Sequence, residues 1–67
     1  MHVGDAQLIH FGQRAIVLAS QAAAYAALAA VELDEQFRRK RIKQAEECID
    51  ASNAQLRFAS EVLEVYE

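Results

Sequence analysis

Glu32-Leu33-Asp34-Glu35-Gln36-Phe37-Arg38-Arg39-Lys40-Arg41 is the stretch on which the fold of this 67-residue chain turns. Only Leu33 and Phe37 are apolar within it. On its N-terminal side, Leu8, Phe11, Ala15, Leu18, Ala22, Tyr25 and Ala29 recur at the three-four spacing of an amphipathic helix. Continued unbroken, that register would place Glu32, Gln36, Arg39 and Lys43 in a core. The apolar pattern resumes instead at Ile42, shifted by one residue. The stripe therefore breaks here, and Asp34 has the side chain of a helix N-cap. The reading is an all-α, two-helix antiparallel hairpin: helix 1 about 5–32, a turn about 33–35 and helix 2 about 35–66. Asp5 is the expected cap of helix 1, with the residues through Gly4 frayed. The rival is one continuous helix of about 60 residues, ~90 Å long, because neither Gly nor Pro marks the turn.

Upstream of the break, residues 15–31 contain no charge, no Gly and no Pro, and more than half are Ala. Ala is the strongest helix former, so this run is helical. Its small side chain offers little surface to bury, and such a helix gains most by letting another backbone come close. The larger residues Phe11, Leu18 and Tyr25 flank a centre of Gly and Ala.

Downstream, Ile42, Ile49, Leu56 and Leu63 are spaced by sevens, and Ala45, Ser52, Ala59 and Tyr66 follow each by three. These are the a and d positions of four heptads. Cys48 and Val62 at g, and Phe37, Ala51, Phe58 and Val65 at c, widen the apolar arc to roughly 160° at 100° per residue. That width suits a helix with two neighbours, as in a bundle of three or four. Ile42, Cys48, Ile49, Leu56, Phe58, Val62, Leu63 and Val65 are therefore the expected protein interface.

Size points the same way. A single domain this short seldom buries enough apolar surface to stand alone. Cys48 is the only cysteine, so no intrachain disulfide is available, and the two histidines show no zinc spacing. Self-association or a partner protein is the remaining support. Arg38, Arg39, Lys40, Arg41 and Lys43 form a basic block, whereas residues 44–67 carry six acids against Arg57. Antiparallel pairing of two second helices sets opposite charges together, so an antiparallel homodimer forming a four-helix bundle is expected. A helical segment of another protein is the other fitting partner.

Three further readings follow from particular segments. The basic residues Arg38, Arg39, Lys40, Arg41 and Lys43 are the candidate contacts for RNA or DNA. They spread around the helix, are bracketed by acids, and belong to a chain of net charge −3. Glu35 with Arg39 and Lys43 with Glu47 are spaced for local ion pairs. The Ala-rich run 15–31 raises a membrane association, but it is shorter than the ~20 residues a span requires and contains Ser20 and Gln21. No catalytic residue, metal ligand or cofactor site is expected, since Cys48, His10 and Asp50 lie in no recognisable arrangement. The lone thiol fits a reducing, cytoplasmic setting.

Overall fold

The computed structural model describes residues 3–66, and both described elements are α-helices: α1 (Val3–Val31) and α2 (Glu35–Tyr66). Met1, His2 and Glu67 lie outside the described residues, as do the side chains of Val3 and Tyr66. The two helices lie against each other as a hairpin. Its longest dimension is 49 Å, which excludes the continuous ~90 Å helix.

The turn is built by side chains rather than by glycine. Asp34 Oδ1 accepts the backbone N–H groups of Gln36 at 2.8 Å and Phe37 at 3.3 Å, the N-cap geometry. Its carbonyl accepts Arg38 N–H at 2.9 Å, the first bond of α2. At the end of α1, Glu32 N–H reaches back three residues to Ala29 O at 3.4 Å, and Arg38 Nη2 donates to Glu32 O at 2.9 Å. Arg38 thus covers a carbonyl that the end of α1 leaves without a helical partner. Among the described residues no φ is positive, so the reversal needs no left-handed residue and no glycine.

α1 begins at Val3, ahead of its expected start at about residue 5. Gly4 lies inside the helix and is buried, so the expected fraying through Gly4 does not hold for that residue. Asp5 sits in the first turn rather than at the cap. There a carboxylate faces the positive end of the helix dipole.

The seam between the helices is made of small residues. Ala15, Ala22 and Ala29 from α1 and Ala45 and Ser52 from α2 are its most buried members. Ser52 Oγ donates to Ala15 O across the seam at 2.9 Å. A serine side chain is short, so this bond requires the two backbones to lie close together. It also sets the register: seven residues forward along α1 match seven back along α2. Ala22 is then level with Ala45, and both line the same groove.

Candidate interaction surface

Placing α1 over the d positions of α2 splits the wide apolar arc into two flanks. On one flank stand the a residues. Ile42, Ile49, Leu56 and Leu63 remain 42 %, 44 %, 51 % and 44 % exposed. The other flank carries Cys48, Phe58 and Val62, and beyond them Val65. Phe58 is anchored there by the ring of Phe11, with centroids 5.6 Å apart. Cys48 and Val62 are partly covered, while Val65 is open to solvent. The eight expected interface residues therefore do not form one patch.

The first flank is the more continuous. Between Ile42 and Ile49 on α2 and Ala19, Ala23 and Ala26 on α1 runs an open groove of about 420 Å³. Glu46 and Asp50 form its outer edge. Farther along, Gly12 precedes Ala19 by seven residues and lies on the same side of α1. A β-carbon placed on Gly12 would meet nothing within 4 Å, so the hairpin itself makes no use of the missing side chain. On α1 this flank also exposes Ile9 and Ile16 (47 % and 67 %). Across the rest of α1, Val17, Leu28 and Val31 are likewise exposed.

The basic block lies beside the turn, and three of its five members have partners within the chain. Arg38 holds Glu32 O and approaches Glu35 at 4.0 Å. Arg39 Nε meets Glu35 Oε1 at 3.2 Å, the pair its spacing predicts. Arg41 donates to Gln44 Oε1 at 3.1 Å. The second expected pair, Lys43 with Glu47, is not formed among the described residues. Lys40 and Lys43 are exposed.

Among the described residues, no arrangement gathers the reactive side chains. The seam register puts His10 level with Arg57, nine residues from Cys48, or about 13 Å along the rod. His10 packs its ring edge-on to Phe11 at 5.3 Å. Among the described residues no group of three His, Cys, Asp or Glu side chains is placed to share a metal ion. Two features lacked a simple sequence signal. Arg38 acts as a cap for the preceding helix, and Gly12 faces open space. The Ser52 contact had one: a serine lies between Ala45 and Ala59 in the same heptad row.

Compared with protein-family models, curated proteins and solved structures, the chain matches none.

Proposed function

We propose that this chain is a non-enzymatic interaction module of the cytoplasm that works through the apolar flank of its hairpin, first of all by self-association into a four-helix bundle. One observation carries the reading. The hairpin buries alanines and leaves its isoleucines and leucines half exposed in a row. A fold that spends its smallest residues on its own seam has its largest apolar surface free for another helix. Contiguous exposed apolar surface of this kind marks interaction sites in soluble proteins. Light scattering on the purified chain should give a mass above that of the monomer. Leu56→Asp should return it to the monomer mass while helical circular dichroism persists. An association that survives Leu56→Asp undiminished would refute the role of this flank.

A second reading has its own observation. Gly4–Val31 is long and apolar enough to cross a membrane, and 17 % of its most apolar window is buried in the hairpin. On this reading α1 sits in lipid. The chain should then stay with membranes through carbonate extraction, whereas the soluble module is released.

A further inference from the structure

We infer that the occupant of the apolar flank is a second copy of this chain, docked antiparallel in one register with α2 against α2 and α1 against α1. This rests on the self-association proposed above and adds its geometry. The first support is area. A folded monomer of 7.5 kDa is expected to expose about 4,200 Å². The hairpin exposes 5113 Å². The excess, about 900 Å², is close to the roughly 800 Å² that each partner contributes to a standard stable interface.

The second support is charge. Lys43, Asp50, Arg57 and Glu64 are spaced by sevens, one residue after each large a residue, and all four are exposed. Lys43 and Asp50 lie at the rim of the flank, beside Ile42 and Ile49. None of the four forms an ion pair within the hairpin, among the described residues. Their signs alternate. An antiparallel α2 pair that sets Ile42 opposite Leu63 and Ile49 opposite Leu56 brings Lys43 to Glu64 and Asp50 to Arg57 of the second copy. Both of these contacts are then attractive, and Glu46, on the same edge, falls level with Ala59 rather than with an acid. Slipping the pair by one heptad sets Lys43 against Arg57 and Asp50 against Asp50, or Asp50 against Glu64 and Arg57 against Arg57. Parallel α2 pairing sets each residue against itself. Like charges meet in all of these alternatives, so the alternation selects one register.

The third support is shape, and it comes from the other helix. The two-fold axis that pairs α2 in this register crosses α1 between Arg14 and Ala15, by the Ser52–Ala15 alignment. It sets Ile16 level with Gln13 of the second copy, one residue from Gly12, and Ile9 level with Ser20, one residue from Ala19. The exposed isoleucines therefore come beside the small residues, and the space at Gly12 has room for a side chain that the hairpin lacks.

The test is sedimentation equilibrium with circular dichroism on the full chain. Lys43→Glu and Glu64→Lys should each weaken the dimer about tenfold, and the double variant should return it to within about threefold of wild type. Gly12→Leu has open space within the hairpin and replaces a poor helix former with a good one. It should fold fully and remain monomeric. A wild-type dimer indifferent to all three variants overturns this register and leaves self-association standing. A wild-type chain that stays monomeric, including one that floats with phosphatidylcholine vesicles instead, overturns both.

Discussion

α1 and α2 are of similar length, 29 and 32 residues, yet they contribute to the hairpin in opposite ways. α1 places Ala15, Ala22 and Ala29 at the seam, with Phe11, Leu18 and Tyr25 half-buried on one side of them and Ile9 and Ile16 exposed on the other. α2 places Ala45 and Ser52 there but carries Ile42, Ile49, Leu56 and Leu63 along one edge. The Ala-rich helix supplies close approach, and the heptad helix supplies bulk that the approach does not use. A hairpin whose most buried side chains are alanines and one serine buries little apolar area per residue, and its stability is correspondingly small. What it gains is a flank of large residues held at fixed spacing by a rigid pair of helices.

The largest effect should come from giving the seam the bulk it excludes. Ala22→Leu should destabilise the hairpin by about 1–3 kcal/mol, as overpacking does in tight interiors. Ala24→Leu, on the exposed side of the same helix, should be nearly neutral, and thermal denaturation of the two variants compares them directly. Equal effects would deny that the seam is tight. Next comes the turn. Asp34→Ala should cost about 1 kcal/mol by removing the side-chain acceptor for Gln36 and Phe37, with Asp34→Asn close to wild type. Ser52→Ala should cost about 1 kcal/mol through the lost bond to Ala15 O, a neutral hydrogen bond across the seam. If Ser52→Ala proves stabilising, the seam is held by packing alone. The smallest effect belongs to the exposed pair beside the turn. Arg39→Ala should change stability by only about 0.2–0.5 kcal/mol, and less at high salt.

Much of this was legible in the residues because helical periodicity is a local property. The register break across residues 32–41, the Asp34 cap and the Glu35–Arg39 pair each follow from spacing within one turn or two. The position of α1 on the α2 arc does not. An arc of roughly 160° has room for a neighbour at its centre or at either edge, and spacing alone does not rank the small d residues above the large a residues. The structure centres α1 on the small d residues instead. Alanine and serine let the backbones approach, and Ser52 then reaches Ala15 O. Gly12 shows a related limit. Among the small residues of α1 it looks like a point of close helix contact, but within the hairpin its surroundings are empty. The Lys43–Glu47 spacing, too, gave no pair, since exposed side chains at i and i+4 gain little by meeting.

In the proposed dimer the hairpin is half of a larger core. Sedimentation equilibrium of the wild-type chain over a hundredfold range of concentration tests it most directly. The mass should rise reversibly with concentration to twice the 7.5 kDa of the chain. A single species at the monomer mass throughout, with full helical content, would contradict it.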